Sequence, residues 1–444
     1  MVNCKNCNKS FDLNDYDICP YCGEEPEKKD EKGKKISLGK KTEKAEPLNK
    51  ERDKPADNKL KFLIVGAAAV VIVVVAISAI FALGNSDITV PDQYSTIQEA
   101  IDAAEDGDVI VVDEGVYQEN IDFRGKNIIL TSTDPDNPAV VDRTIIDGGG
   151  SGAVVSFRSG ESEEAVLRGF TLTRGGGLLI SGGSSPVIEK NIIENNEAEV
   201  GAGIAIFDSS PTIIDNKIIG NSGYLGGGIY MEASSPFVEN NIIQRNRAVH
   251  GSGVVIYSNS SPVMINNSIF DNTAEHLGGG LLVAIDSRPS IEGNAITDNT
   301  AGHGGGIYIE DSEPIIDQNT ISGNKATNGG GLYLFNSLYA SLLVTGNEIS
   351  NNFAFNDGGG LYIKDSSPTI EDNNIVDNIS ENLGGGAAVY NSTLVLIRNV
   401  FEKNQADRDQ GGGAIWLSKD SELDLEIPDD NIYTNNDPDD IFEE

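Results

Sequence analysis

Short apolar runs recur through residues 175–436 with the alternation of β-strands. In the unit GGGIYIEDSEPIIDQNTISGN, residues 304–324, three apolar runs of three to five residues are separated by turns. Runs this short, with every second residue apolar, favour strands over helices. Because similar units follow one another, the pattern predicts a β-solenoid with three strands per coil.

Two sequence motifs recur once in each unit and fix the register between successive coils. A Gly-rich triplet opens one strand of each coil and ends at Gly177, Gly203, Gly228, Gly253, Gly280, Gly306, Gly331, Gly360, Gly386 and Gly413. The pattern Asn-x-(Ile/Phe/Tyr)-x-x-Asn begins at Asn191, Asn216, Asn241, Asn267, Asn294, Asn319, Asn347, Asn373, Asn399 and Asn431. Equivalent residues on successive coils of a parallel sheet lie about 4.8 Å apart, so the asparagines are predicted to form hydrogen-bonded ladders along the solenoid axis.

Period-2 alternation also assigns the two faces of the strand after each triplet. It predicts that Ile307 and Ile309 face the interior and that Tyr308 faces outward. Tyr333 and Tyr362 occupy the same outward position on the next two coils, with Tyr230 farther away. An exposed row of rings suits stacking against sugars, and stacking between the strands themselves is an equally good alternative.

The segment before the repeats predicts a cap and carries a family resemblance. Ser95-Thr96-Ile97-Gln98 is a capping-box pattern, and the apolar residues that follow fall on one helical face. The stretch GDVIVVDEGVYQENI, residues 107–121, resembles the N-terminal cap of the pectin-lyase-like right-handed β-helix superfamily. GFTLTRGGG at 169–177 and the SSP/GGGIY repeats resemble right-handed β-helix repeat proteins of bacterial and archaeal surfaces. The resemblance covers residues 87–436 and implies an all-β, right-handed parallel β-helix.

An uncharged run of 22 residues, Phe62–Leu83, is long enough to cross a bilayer as a helix. Residues 28–61 contain 13 basic residues, whereas Gly84 to Gln118 contain none, so the positive-inside rule predicts a cytoplasmic N-terminus. The solenoid would then be extracellular or periplasmic. A cleaved signal peptide is the alternative, but the polar region before the apolar run is far too long for one.

All four cysteines lie near the N-terminus, as Cys4-x2-Cys7 and Cys19-x2-Cys22. Two such pairs are typical of a structural zinc site with four thiolate ligands and no open position for catalysis. ICPYCG resembles the second knuckle of a zinc ribbon. A disulfide or redox pair is the alternative, which a reducing cytosol disfavours. The ribbon would dock a cytoplasmic partner that the sequence does not identify.

The predicted organisation therefore has six parts. They are a zinc ribbon at 1–23, a charged disordered linker at 24–61, a transmembrane helix at 62–83, the β-helix cap and first coils at 86–174, the repeat coils at 175–436 and an acidic tail at 437–444.

Charge narrows the choice of partner. The chain has 69 acidic and 32 basic residues, and 56 of the acidic but only 17 of the basic residues follow residue 85. Such a domain repels nucleic acid phosphates and polyuronates, which leaves neutral or cationic partners such as cell-wall glycans. A surface scaffold that binds glycans is the preferred interpretation. A polysaccharide lyase, hydrolase or esterase, as the superfamily resemblance also implies, is the alternative.

His250, His276 and His303 each follow the second Asn of a motif by four residues, on consecutive coils. Stacked imidazoles could share a divalent metal ion, or one could act as a general base. The position continues as asparagine on later coils, which favours a structural role at sites with left-handed backbone. Gly302-His303-Gly304 resembles polygalacturonases, although that family's paired aspartates and Arg-x-Lys element have no counterpart. An enzyme would need His303, Arg245 and Arg247 to converge.

Pairs of carboxylates on adjacent coils are candidates for Ca2+ binding. Glu292 and Asp317 form one pair, and Asp286 and Asp311 form another in a turn. Neighbouring carboxylates can bind Ca2+, whereas solvated Asx turns are the preferred interpretation.

The full chain should bind one Zn2+ ion, and Cys19→Ser should abolish this binding because three thiolates leave the tetrahedral site incomplete. Elemental analysis of the purified protein after dialysis measures this stoichiometry. An undiminished zinc content in the variant would contradict the four-thiolate site.

Overall fold

The computed structural model describes residues 2–3, 10–11, 87–338, 341–407, 411–425, 430–438 and 440–444. The chain divides into two compact units, Met1–Val65 and Gly66–Glu444. In the first unit, Val2–Asn3 pairs with Ser10–Phe11 in an antiparallel ladder. The four cysteines, the linker and the apolar run 62–83 lie outside the described residues. Within the described ranges, no helix combines the length and apolar character needed to span a membrane.

The second unit is a parallel β-solenoid of about 13 turns, as the repeats predict. Three sheets run along it, and each strand pairs with the equivalent strand of the coils before and after it. Sheet 1 consists of Ile88–Val90, Val109–Val112, Ile129–Ser132, Val166–Arg168, Val187–Glu189, Thr212–Ile214, Phe237–Glu239, Val263–Ile265, Ser290–Glu292, Ile315–Asp317, Leu343–Thr345, Thr369–Glu371, Thr393–Ile397 and Glu422–Leu425.

Sheets 2 and 3 complete each coil. Sheet 2 consists of Gly115–Tyr117, Thr144–Asp147, Thr171–Thr173, Ile192–Glu194, Lys217–Ile219, Ile242–Gln244, Ser268–Phe270, Ala295–Thr297, Thr320–Ser322, Glu348–Ser350, Asn374–Val376, Val400–Glu402 and Ile432–Thr434. Sheet 3 consists of Ile121–Asp122, Val155–Phe157, Leu178–Ile180, Ile204–Phe207, Ile229–Glu232, Val254–Tyr257, Leu281–Ala284, Ile307–Glu310, Leu332–Phe335, Leu361–Lys364, Ala387–Tyr390, Ile415–Leu417 and Ile441–Glu443. The last of these strands lies within the acidic tail predicted for 437–444, so part of that segment is a coil of the solenoid.

The N-terminal end is covered by a helix, as predicted. Helix α1, Ile97–Ala103, buries Ile97, Ala100 and Ile101 against the first coil. Its N-cap is Thr96, whose side chain accepts a hydrogen bond from the Glu99 amide, and not Ser95. Ser95 Oγ donates to the Glu99 carboxylate instead. A second short helix, α2, is Pro138–Val141.

The interior is a column of aliphatic side chains at alternate strand positions. Ile307 and Ile309 are both completely buried, which confirms their inward orientation. The middle residue of each sheet 2 strand behaves in the same way, as Ile243, Ile269 and Ile296 show. Burial of this continuous apolar column supplies the main driving force for folding.

Two buried asparagine ladders run beside this column, as predicted. At Asn299, the backbone N–H and the side-chain amide both donate to Oδ1 of Asn324, at 3.0 and 3.1 Å. The same amide also donates to the Ile269 carbonyl at 2.9 Å. Each asparagine therefore satisfies its own polar atoms and those of neighbouring coils, which removes the desolvation penalty of a buried amide.

The glycine triplets are required by close backbone approach between coils. A Cβ atom built on Gly306 would lie 2.6 Å from the carbonyl oxygen of Gly331, and one on Gly280 would lie 2.6 Å from that of Gly306. Real Cβ atoms do not come so close to backbone oxygen. Any side chain at these positions would therefore push adjacent coils apart.

Asn299→Ala should lower the free energy of unfolding by about 3 kcal/mol, because it removes several buried hydrogen bonds and leaves partners on two coils unsatisfied. Asn374→Ala, at an exposed position of sheet 2, serves as the matched control. Thermal denaturation followed by circular dichroism measures both variants. Equal melting temperatures would contradict the energetic role of the ladders.

Candidate ligand-binding face

A fourth line of short strands, which we call the flank strip, lies between sheets 2 and 3 along the chain. Its strands are Glu197–Val200, Ser222–Leu225, Arg247–His250, Thr273–Leu277, Lys325–Ala326, Phe353–Ala354, Ile379–Ser380 and Gln405–Ala406. Thr300 bridges to both Thr273 and Lys325 and joins the two halves of the strip. The repeat pattern of the sequence did not predict this strip. A small residue recurs two positions after the second Asn of most motifs, and those such as Ala248 and Ala274 lie on strands of the strip.

The flank strip packs on the outer face of sheet 3 and builds a second apolar cluster there. Tyr230, Val255, Leu282, Ala284 and Tyr308 are buried in this cluster. Val200, Leu225 and Leu277 of the strip pack against them and are themselves partly buried. The outer face of sheet 3 is therefore a second core and not an open surface.

This covering overturns the predicted exposed tyrosine row. The rings do stack in the expected order, with centroids 5.1 Å apart for Tyr308 and Tyr333 and 4.5 Å apart for Tyr333 and Tyr362. However, Tyr308 is only 4% exposed and Tyr362 only 9%. Burial raises the pKa of Tyr362 to about 12. The prediction that these tyrosines form an exposed sugar platform is wrong, because Tyr308 and Tyr362 are buried and the rings pack against one another.

The column of aromatic rings continues toward the C-terminus, but on the next coil the ring comes from a different position of the strand. Ala388 occupies the register position that follows Tyr362, where a ring would be expected. Tyr390, two residues later, fills the gap and stacks between Tyr362 and Trp416 at 5.2 and 4.9 Å. Its hydroxyl donates to the carboxylate of Asp357 at 2.8 Å. The rings thus pack against one another and stabilise sheet 3.

The three histidines do not form one column. Backbone pairing aligns His250 with Leu277 and Leu277 with His303, because a β-bulge shifts the register after Ala248. The His276 ring lies 5.3 Å from that of His250, whereas His303 contacts the Tyr333 ring at 5.2 Å. Burial, with a smaller contribution from His276, lowers the pKa of His303.

The sequence predicted a left-handed backbone conformation at the three histidines, and this prediction is also wrong. None of the three adopts a left-handed backbone, because the following glycines, including Gly251 and Gly304, take the positive φ angles. Left-handed turns instead occupy the sheet corners, where Asp286 has φ 53° and Asp311 has φ 46°. The backbone of these two aspartates thus adopts the turn conformation expected of Asx residues.

The candidate catalytic residues are not brought together. Arg245 lies at an exposed corner with φ 53°, and Arg247 is an exposed residue of the flank strip. His250 follows Arg247 by three residues and so lies on the opposite side of the same strand. His303 lies two coils farther along, against Tyr333. These residues do not form a shared cleft.

Glu292 and Asp317 are direct register partners in sheet 1, as their spacing predicts. Within the described residues, no group of three or more His, Cys, Asp or Glu side chains is placed to hold a metal ion. Calcium at Glu292 and Asp317, and a metal at the histidines, stay predictions.

A groove opens where the flank strip begins. One cavity of about 340 Å³ has a floor formed by Leu179, Ala205 and Phe207, and an adjoining cavity measures about 610 Å³. The second cavity is lined by Gly150, Glu197, Ala198, Glu199, Ser222, Gly223 and Tyr224. The groove exists because Glu197–Val200 is the first strand of the strip, so no earlier strand covers the outer face of the preceding coils. Residues 150–153 of a glycine-rich loop form its other wall.

The groove combines an apolar floor, an aromatic ring and two carboxylates. Glu197 and Glu199 are exposed residues of one strand, and Tyr224 belongs to the next strand of the strip. The Tyr224 ring meets the His250 ring edge-on at 5.8 Å. The residues that line the two cavities include no lysine or arginine. Such a surface suits a neutral or cationic ligand with one apolar face.

Glu310 is the last residue of the sheet 3 strand Ile307–Glu310 and is partly buried. The Tyr308 hydroxyl lies 3.4 Å from its carboxylate. Burial, with a smaller contribution from Asp311, raises its pKa from 4.5 to about 7. The folded protein therefore binds a proton at the Glu310 carboxylate more tightly than the unfolded chain does. The associated stability is present at low pH and is lost as the pH rises from about 4.5 to 7.

Glu310→Gln should consequently stabilise the protein at pH 8, by up to about 3 kcal/mol relative to wild type, and have little effect at pH 4.5. Chemical denaturation at the two pH values measures the difference. Glu422→Gln, an exposed carboxylate in sheet 1, controls for the change in net charge. Identical pH dependence in the Glu310 variant and wild type would contradict the assignment.

Comparison with protein families gives a match along the solenoid. The family described as "Right handed beta helix region" matches residues 127–296 and 269–436. No curated protein and no solved structure gave a match.

Proposed function

The chain belongs to the right-handed β-helix family, and from this premise we propose that it is a membrane-anchored surface protein whose β-helix binds glycans without cleaving them. The anchor is the apolar run Phe62–Leu83. The zinc ribbon, with Cys4, Cys7, Cys19 and Cys22 as ligands, lies in the cytoplasm and docks an internal partner. The β-helix then contacts the cell wall or another cell.

The groove at the start of the flank strip is the observation that supports glycan binding. Pyranose rings have an apolar face that packs on aromatic rings and equatorial hydroxyls that donate hydrogen bonds. Tyr224 offers the ring, Glu197 and Glu199 offer acceptors, and Ser222 offers both a donor and an acceptor. This set replaces the buried tyrosines as the proposed sugar contact.

The charge of the residues that line the groove determines which glycans it favours. Two carboxylates and no lining cation favour neutral sugars or amino sugars with a protonated amine. The acidic surface beyond the groove repels uronates, and salt would weaken that repulsion. Polyuronates are therefore the poorest ligands of this surface.

The geometry of the carboxylates favours binding over hydrolysis. Glu197 and Glu199 are two residues apart on one strand, so their side chains project from the same wall of the groove. Glycoside hydrolysis requires two carboxyl groups on opposite sides of the scissile bond. The pair is nevertheless the observation that favours the enzyme alternative, and product analysis tests it.

The test is the binding of neutral and amino-sugar polysaccharides to the full chain in lipid nanodiscs. Tyr224→Ala should weaken binding about tenfold, because an aromatic contact contributes about 1 to 1.5 kcal/mol. Phe355→Ala is the matched control, since Phe355 directly follows the strip strand Phe353–Ala354, is 57% exposed and lies several coils from Tyr224. Glu197→Gln with Glu199→Gln should reduce the preference for amino sugars.

Unchanged affinity in the Tyr224 variant would contradict the groove as the binding site. Shortened polymer chains after incubation with wild type, absent with the double Glu variant, would establish the enzyme alternative instead.

A further inference from the structure

Four Asn-x-Ser/Thr sequences occur in the solenoid, at Asn259, Asn266, Asn378 and Asn391. This tripeptide is the acceptor signal for N-linked glycosylation of proteins outside the cytoplasm. In a chain so rich in Asn and Ser the sequence alone carries little weight. The structure, however, divides the four sites into two classes.

Three of the sites lie at exposed corners between sheets. Asn259, Asn266 and Asn391 are exposed, and their φ angles of 60°, 55° and 45° place them in left-handed turns that direct them away from the strands. Asn391 makes a side-chain hydrogen bond from Nδ2 to the Asp365 carboxylate. A glycosylated amide retains one N–H, so this contact is compatible with modification.

The fourth site is inaccessible to a modifying enzyme in the folded protein. Asn378 is completely buried in the second asparagine ladder. Its Nδ2 donates to the Ile349 carbonyl at 2.8 Å and to Oδ1 of Asn404 at 3.0 Å. Both amide hydrogens are therefore used inside the fold, and no sugar can be attached to this nitrogen in the folded protein.

We propose that Asn259, Asn266 and Asn391 carry N-linked glycans and that Asn378 does not. This inference rests on the proposed location of the β-helix outside the cytoplasm. In the reaction, the Asn Nδ2 forms a bond to the anomeric carbon of a lipid-linked oligosaccharide. The bond from that carbon to the lipid phosphate breaks, the lipid phosphate leaves with the electron pair, and Nδ2 loses one proton to a base on the transferring enzyme.

The positions also fit the proposed binding groove. Asn259 and Asn391 lie at the corner from sheet 3 to sheet 1, and Asn266 lies at the corner from sheet 1 to sheet 2. The three sites therefore border sheet 1, whereas the groove lies on the flank strip between sheets 2 and 3. Glycans at these corners would cover the face that the proposed ligand does not use.

The experiment is peptide mass spectrometry of the full chain purified from the membranes of the cells that produce it. Peptides that contain Asn259, Asn266 and Asn391 should carry a sugar mass, and the Asn378 peptide should not. Ser261→Ala, Ser268→Ala and Thr393→Ala should each remove the mass from one peptide, whereas Thr393→Ser should retain it. Ser380→Ala beside Asn378 is the matched control and should change no glycan mass. Circular dichroism verifies that each variant remains folded.

Protease added outside spheroplasts, which reaches an extracellular or a periplasmic domain, separates this inference from the proposed function. If external protease digests the β-helix and the three asparagines are unmodified, the glycosylation inference alone is overturned. A β-helix shielded from external protease would contradict the proposed location and overturn the inference with it. A sugar mass on Asn378 would show that modification precedes folding and would overturn the selection by burial.

Discussion

The stacking of coils at backbone contact distance is the constraint on which the rest of the structure depends. Glycine at positions such as Gly306 permits the approach, because any Cβ would meet the carbonyl oxygen of the next coil. The asparagine ladders then satisfy the polar atoms that this approach buries, with Asn299 serving two neighbouring coils. Neither feature works without the other, since unsatisfied amides would separate the coils and bulky residues would break the ladders.

This regular interior leaves the outer surface able to vary. The flank strip uses a longer connection between sheets 2 and 3 to cover the outer face of sheet 3, and it builds a second core with Tyr308 and Leu282 inside. Aromatic residues on that face therefore contribute to packing. The groove proposed to bind a ligand lies instead where the strip begins.

The proposed binding groove is such a place. It lies where Glu197–Val200 starts the strip, so a first strand with no predecessor exposes an apolar floor beside two carboxylates. The same acidic character extends over the domain and limits the ligands that can approach. Function in this protein is thus proposed at an interruption of the repeat, where the described surface opens into a groove.

The sequence by itself determined the solenoid, its inward and outward strand positions, the ladders and the N-terminal cap, because each depends on local periodicity and on residues that recur once per coil. Only the tertiary structure decided what covers the outer face. It buried Tyr308 and Tyr362, shifted His250 and His303 out of line with His276, and opened the groove at Tyr224. The physical reason is that burial of an outer face depends on which segment folds over it. A strand of two to five residues whose sequence differs from coil to coil leaves too weak a periodic signal to be recognised.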